Sequence, residues 1–192
     1  MKKQTYSPFA AIMQATAVIS AVLTVLFLLL YLRLQSGWLL STTITFGTTF
    51  YHFAMRLLVG VLVPNALNCS ARWFRQRSWE PAVYRKLKVK SWKKNLPTYD
   101  PDAFSLDLHT PQQILANMCQ AEVVHEIIVL CSFLPLAAVP FFGVLPVFLI
   151  TSTLAAAVDL IFVIAQRYNR PRIFRLIQKR AATQSQRSFN HE

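Results

Sequence analysis

The chain has 192 residues, 54% hydrophobic and 12% aromatic, yet carries 20 Lys plus Arg against 8 Asp plus Glu, a formal net charge of +12. Only 15% of the residues are charged, against about 25% in a soluble domain, so disorder is excluded and a soluble nucleic-acid binder is disfavoured. The basic residues are segregated from the apolar runs rather than interleaved with them, which is the pattern of a membrane protein.

No charged residue stands between Gln4 and Leu32. The run Phe9–Leu32 is apolar almost all round and spans about 36 Å as a helix, too long for a cleavable signal peptide, so a retained first membrane helix is expected over about 9–33. A second run, about 37–64, carries a polar stripe of Thr42, Thr43, Thr45, Thr48 and Thr49, followed by His52 and Arg56. Ile127 to Val158 is charge-free and exceeds one span, and Pro140-Phe-Phe-Gly143 within it reads as a turn. Helices over about 111–139 and 144–166 follow, the first opened by Thr110-Pro111-Gln112-Gln113, a capping residue, a first-turn Pro and a Gln at the third position.

The expected fold class is therefore all-α: a polytopic protein with four transmembrane helices in a single membrane domain, 1–172, and a basic polar tail, 173–192. The N-terminus holds Lys2 and Lys3, segment 70–97 holds nine basic residues, and the stretch from Arg167 onward holds seven, whereas the 140–143 turn holds none. The positive-inside rule then places both termini and the middle loop in the cytoplasm. Cys69, Cys119 and Cys131 are odd in number and without a CxxC pair, so buried free thiols are expected rather than a disulfide framework or a zinc site.

Within the middle segment, Ser78-Trp-Glu-Pro81 reads as a helix start with Ser78 as cap. Tyr84, Leu87, Trp92 and Leu96 are interleaved with Arg85, Lys86, Lys88, Lys90, Lys93 and Lys94, the make-up of an amphipathic interfacial helix on an anionic lipid surface. The segment serves orientation alone or also holds phosphate-bearing substrates such as lipid head groups or acyl-CoA.

Six ionisable residues fall inside the apolar helices: His52, Arg56, Glu122, His125, Glu126 and Asp159. Such groups are expensive in hydrocarbon and face a bundle interior or a water-filled cavity. Helix rise places Arg56, Glu122, His125 and Asp159 about 8–12 Å from the cytoplasmic ends of their helices, in one layer. Glu122 and His125 share a helix face, so the carboxylate is expected to orient the imidazole as a general base. Arg56 is expected to hold a carboxylate, a phosphate or an oxyanion, with Asp159 as its counter-charge or that of the arginines below. A structural ion-paired core and a proton or ion relay are the alternatives. Without HExxH-type spacing, no metal is expected from His52, His125, Glu122 and Glu126. Gln166-Arg-Tyr-Asn-Arg-Pro-Arg172 follows the last helix, which Pro171 is expected to break, and Tyr168 and Asn169 suggest defined hydrogen bonds beyond mere charge.

Three blocks in order, Tyr84-Arg-Lys-Leu-Lys-Val-Lys-Ser-Trp-Lys-Lys-Asn-Leu-Pro97, Glu122-x-x-His125 and Gln166-Arg-Tyr-Asn-Arg-Pro-Arg172, resemble the glycosyl-4,4'-diaponeurosporenoate acyltransferase family of the staphyloxanthin pathway. The resemblance spans Trp79 to Arg172 and implies a small bacterial cell-membrane protein that transfers a fatty acyl chain to a sugar hydroxyl of a carotenoid glycoside. Glu122 and His125 would then be the catalytic pair, and Trp92, Lys93 and Pro97 would shape the interfacial segment. Arg167, Asn169, Arg170 and Arg172 would bind head groups. Apart from the resemblance, the intramembrane ionisable residues Arg56, His52, Glu126 and Asp159, and Tyr168 of the 166–172 block, complete the expected substrate site. The stretch Thr98-Tyr-Asp-Pro-Asp102 and Glu126 beside His125 depart from the family pattern, which bears on the acceptor more than on acyl transfer. No cofactor is implied; the donor is an acyl-CoA or acyl-carrier thioester, and the partners are membrane lipids and a glycolipid or isoprenoid glycoside, not nucleic acid. A non-enzymatic scaffold of a lipid or pigment pathway, or a small transporter, is the other class of function.

Overall fold

The computed structural model describes residues 7–189. Lys2 and Lys3, on which part of the charge reading rests, lie outside the described residues, as does the side chain of Arg187. The described residues are all-helical: α1 (Pro8–Leu34), α2 (Gly37–Leu62), α3 (Glu80–Lys86), α4 (Val89–Trp92), α5 (Pro111–Cys131), α6 (Val139–Phe142) and α7 (Leu145–Phe189), with short 3-10 turns between them. Three helical stretches are long and apolar enough to cross a membrane: Pro8–Leu34, Pro111–Phe142 and Leu145–Thr183. Their outer faces remain apolar, with Val18, Val22, Leu29, Ile150, Leu154 and Val158 all exposed, so the chain is a membrane protein whose solvent on those faces is lipid.

The described residues form two compact units. The first joins those up to Val63 with Val124–Ile161; the second joins Pro64–Val123 with those from Phe162 on.

In the first unit, α1 and α2 are linked through Gln35, in the left-handed conformation at φ 49°, and Ser36. The two helices pack along each other, with Phe27 stacked on Phe46 at 5.5 Å. The threonine stripe of α2 is satisfied within the helix. Thr42, Thr43, Thr45, Thr48 and Thr49 each donate to the carbonyl four residues back, at 2.8–2.9 Å. This i−4 bonding hides hydroxyls that would otherwise need a partner.

Two prolines act differently from expectation. The helix expected over about 111–139, α5, stops at Cys131, not near Val139, because Pro135 has no N–H to give the Cys131 carbonyl and its ring crowds it. The freed carbonyl accepts the Tyr51 hydroxyl at 2.8 Å. A 3-10 turn (Leu134–Ala138) and α6 follow, ended by Gly143 at φ 68°, a conformation that favours glycine. Pro171, by contrast, does not break α7, which runs on to Phe189, so the expected polar tail from 173 is helical through that point. The helix survives because Arg167, Asn169 and Arg170 before the proline and Arg172 after it are pinned by side-chain bonds. The Pro171 carbonyl also accepts from Arg175 Nε at 3.2 Å.

In the second unit the capping box at α5 is realised in both directions. Gln113 N donates to Thr110 Oγ1 at 3.3 Å, and Thr110 N donates to Gln113 Oε1 at 2.9 Å. The middle segment is not one continuous amphipathic helix. Lys88, left-handed at φ 51°, separates α3 from α4, and the Trp92 indole donates to the Leu87 carbonyl at 2.9 Å across the break. Trp79 rather than Ser78 occupies the N-cap of α3, without a side-chain cap bond. Phe74, Glu80, Tyr84 and Val89 are buried while Arg85, Lys86, Lys88 and Lys90 are exposed. Of the three free thiols, Cys119 is buried and the other two are half-buried.

Replacing Tyr51 with Phe leaves the Cys131 carbonyl without its donor and is expected to cost about 1–3 kcal/mol. Thermal unfolding in nanodiscs should show the drop; a melting temperature equal to that of the wild type would refute it.

Candidate functional site

The first unit contains a charged network built on three helices. Asp159 of α7, only 1% exposed, presents both oxygens to partners. Oδ2 pairs with Arg56 of α2. Oδ1 lies 2.8 Å from Nδ1 of His125 of α5. The Arg56 guanidinium also donates to the carbonyls of His52, at 2.8 Å, and Ala155, at 3.1 Å. A carboxylate on Nδ1 fixes the ring's orientation and favours the tautomer that carries its proton there. His52, one turn from Arg56 on α2, is buried. Glu126, next to His125, is half-buried.

The second unit holds a separate ionic cluster. Glu122 is fully buried and Glu80 is 2% exposed. Arg167 forks across both carboxylates, with Nη1 on Glu122 Oε1 and Nη2 on Glu80 Oε1, each at 2.8 Å. Arg170, one turn on, pairs with the other oxygen of Glu122 and donates to the Phe74 carbonyl. The Tyr84 hydroxyl donates to Glu80 Oε2 at 2.7 Å. Two carboxylates thus meet two guanidiniums, the condition under which buried charges are tolerated. Burial pushes the Glu80 carboxyl up, but the Tyr84 hydroxyl and Arg167 outweigh it, and the net is a value below the ordinary one. Tyr84 is pushed up, by burial first and then by its bond to Glu80, and stays a donor.

Beside this cluster stands a cationic patch with no carboxylate among its observed partners. The Lys93 ammonium pairs with Asn169 Oδ1 and lies 5.0 Å from the centre of the Tyr168 ring. The Arg172 guanidinium lies 4.4 Å from the same ring centre and donates to the Tyr168 hydroxyl at 2.7 Å. The ring stands edge-on to Tyr84 at 5.5 Å. Burial, then the charge of Arg172, lowers the Lys93 pKa.

The expected site residues therefore divide. Arg56, His125 and Asp159 come together as the layer reading requires. The Glu122 carboxylate is held by Arg167 and Arg170, and the carboxylate on Nδ1 of His125 is that of Asp159. Arg167 and Arg170 are neutralised, whereas Lys93, Tyr168, Asn169 and Arg172 form the patch. Trp92 spans the α3–α4 break. Sequence reasoning missed Glu80, which it placed only within the Ser78-Trp-Glu-Pro81 helix start. The signal was present, since Glu80 is the chain's first acidic residue and stands among nine basic ones in segment 70–97. No group of three or more His, Cys, Asp or Glu residues able to hold a metal occurs among the described residues.

A family model, CrtO, described as glycosyl-4,4'-diaponeurosporenoate acyltransferase, matches residues 70–179, more than half of the chain. The chain belongs to the CrtO family. The matched stretch contains Glu80, Lys93, Glu122, His125, Asp159 and the 167–172 block, while His52 and Arg56 precede it. By its description the family is one of acyltransferases of a carotenoid glycoside, which supports a transferase in carotenoid biosynthesis. No curated protein and no solved structure matches the chain.

The depressed Glu80 value has a testable sign. Its stabilisation is fully present above the ordinary value of 4.5 and is lost as pH falls through the lower folded-state value. Melting temperatures taken downward from pH 6 should fall for the wild type below that point and follow a flatter acid limb for Glu80→Gln. Identical limbs would contradict the assignment.

Proposed function

We propose that the chain is a bacterial cell-membrane O-acyltransferase with four spans and cytoplasmic termini, α2 being the fourth span. It moves a fatty acyl chain from a thioester donor, acyl-CoA or an acyl-carrier, to a sugar hydroxyl of a carotenoid or related isoprenoid glycoside. The carrying observation is the His125–Asp159–Arg56 network, an oriented imidazole inside the apolar part of a family of acyltransferases. The internal bonding of the α2 threonines supports the fourth span, because that helix then needs no water along its stripe.

In this mechanism His125 Nε2 takes the proton of the acceptor hydroxyl as its oxygen attacks the thioester carbonyl carbon. The tetrahedral intermediate collapses with cleavage of the C–S bond, and the thiolate leaves with the proton carried by His125. Asp159 holds the ring through both transfers, and Arg56 holds Asp159. Glu122 is a structural residue in this reading, locking α5 to the 167–170 turn of α7. Anion binding falls to Lys93 and Arg172, since Arg167 and Arg170 are already matched by carboxylates. These two cations serve the phosphates of the donor or of lipid head groups.

Expression in cells that make glycosyl-4,4'-diaponeurosporenoate, followed by lipid mass spectrometry, tests the assignment. The wild type should yield the acylated glycoside, and His125→Ala should lower its rate of formation at least about 100-fold with unchanged insertion and melting. An unaltered lipidome would overturn the activity, and full acylation by His125→Ala would overturn the base.

The double variant Lys93→Gln with Arg172→Gln should raise the KM for a long-chain acyl-CoA about tenfold, with less difference from the wild type at high salt. An unchanged donor KM would remove the patch from the mechanism.

A further inference from the structure

His52 is 5% exposed and Ser152 fully buried, yet neither ring nitrogen of His52 nor the Ser152 hydroxyl has a hydrogen-bond partner. These are the only such buried side-chain atoms among the described residues. Buried polar groups are ordinarily paired, and each orphan calls for an explanation, of which a polar occupant is one.

Contacts on either side place the two residues in one layer. Toward α7's C-terminal side, Arg56 reaches Ala155 and Asp159. Toward the N-terminal side, Thr48 of α2 and Phe148 of α7 line the same cavity. The α2 and α7 residues that meet thus differ by about one hundred in number and advance together, so His52 and Ser152 fall level between those contacts. The cavity is a largely open depression of about 290 Å³, lined mainly by carbon from Ile44, Gly47, Leu134, Ala138, Phe142 and Phe148 among others, and His52 and Ser152 lie next to its lining rather than in it. An apolar cavity, an unpaired polar layer and the His125 network therefore follow one another within the first unit, one helical turn apart.

The unpaired set consists of a ring that both donates and accepts when neutral and a hydroxyl that does the same. A thioester carbonyl only accepts and would leave acceptors unmatched. A phosphate would bring charge to a place where the nearby cation, Arg56, is already held by Asp159. A ligand hydroxyl both donates and accepts. We infer that His52 and Ser152 form a subsite for a sugar hydroxyl of the acceptor, next to the one that reacts, with the apolar cavity taking adjoining hydrocarbon. The inference deepens the acyl-transfer reading and rests on it for the identity of the acceptor.

The test is binding of glycosyl-4,4'-diaponeurosporenoate and of its sugar-free carotenoid acid to the full chain in nanodiscs, read by quenching of tryptophan fluorescence. The wild type should prefer the glycoside. His52→Leu and Ser152→Ala should each weaken glycoside binding about tenfold, as loss of a hydrogen bond predicts, leave the sugar-free acid unchanged and keep or raise the melting temperature. Ser152→Ala removes a single oxygen and carries the test if His52→Leu fails to fold. Unchanged glycoside affinity in Ser152→Ala, or no wild-type preference for the glycoside, would overturn the inference, the layer then holding only water. A wild type that binds the glycoside selectively but acylates nothing would overturn the acyl-transfer reading and leave the sugar subsite standing.

Discussion

One carboxylate, Asp159, organises the chemistry of the first unit. It is almost wholly buried, and both oxygens are committed, one to a guanidinium from α2 and the other to an imidazole from α5. A carboxylate in such surroundings survives only with a counter-charge and full hydrogen bonding. Arg56 supplies the charge, and its other bonds, to the His52 and Ala155 carbonyls, keep it from swinging away. The histidine then occupies the remaining oxygen. What orients the imidazole is therefore the same requirement that lets an acid lie in an apolar helix.

The second unit meets the same requirement with different residues. Glu80 and Glu122 need two positive partners, and Arg167 and Arg170, three residues apart on α7, present them on one face. The carbonyl of Phe74 and the hydroxyl of Tyr84 fill the remaining valences. This arrangement changes the meaning of the arginine-rich block. Two of its three arginines before and after Pro171 are internal, and only Arg172 joins Lys93 as a cation without a carboxylate among its observed partners. The +12 net charge of the chain thus overstates how much of that block is available to an anion.

Legibility from sequence followed the range of the interaction concerned. The Thr110–Gln113 capping box is a four-residue event and was readable outright. The apolar runs and the six intramembrane ionisable residues were readable as composition. Which carboxylate meets which base was not, because i,i+3 spacing makes Glu122 and His125 neighbours without saying which partner outbids the other. Two guanidiniums from a distant segment hold Glu122, and Asp159, from that same distant helix, bonds the ring. The prolines make the same point. Pro135 is followed by Leu136, Ala137 and Ala138, which have no polar side chain to anchor a continuing helix, whereas Pro171 sits between anchored residues and the helix continues through it. A proline's local cost of about 3 kcal/mol is decided by contacts the local sequence does not contain. Glu80 was missed for that reason as well, since a first-turn acid has an adequate local explanation.

The hydroxyls of the helices offer a comparison for the unpaired layer. Thr48, Ser132 and Thr151 all donate to a carbonyl four residues back. Ser152, beside Thr151 on the same helix, departs from that pattern, and its hydroxyl has no partner. His52 shares this condition. Its own carbonyl is occupied by Arg56, and its two ring nitrogens are bonded to nothing. An aliphatic side chain would fill that volume without the polar penalty. Retaining an imidazole one turn from the Arg56–Asp159–His125 network is therefore a cost to the folded state, and a polar occupant for the layer is what offsets it.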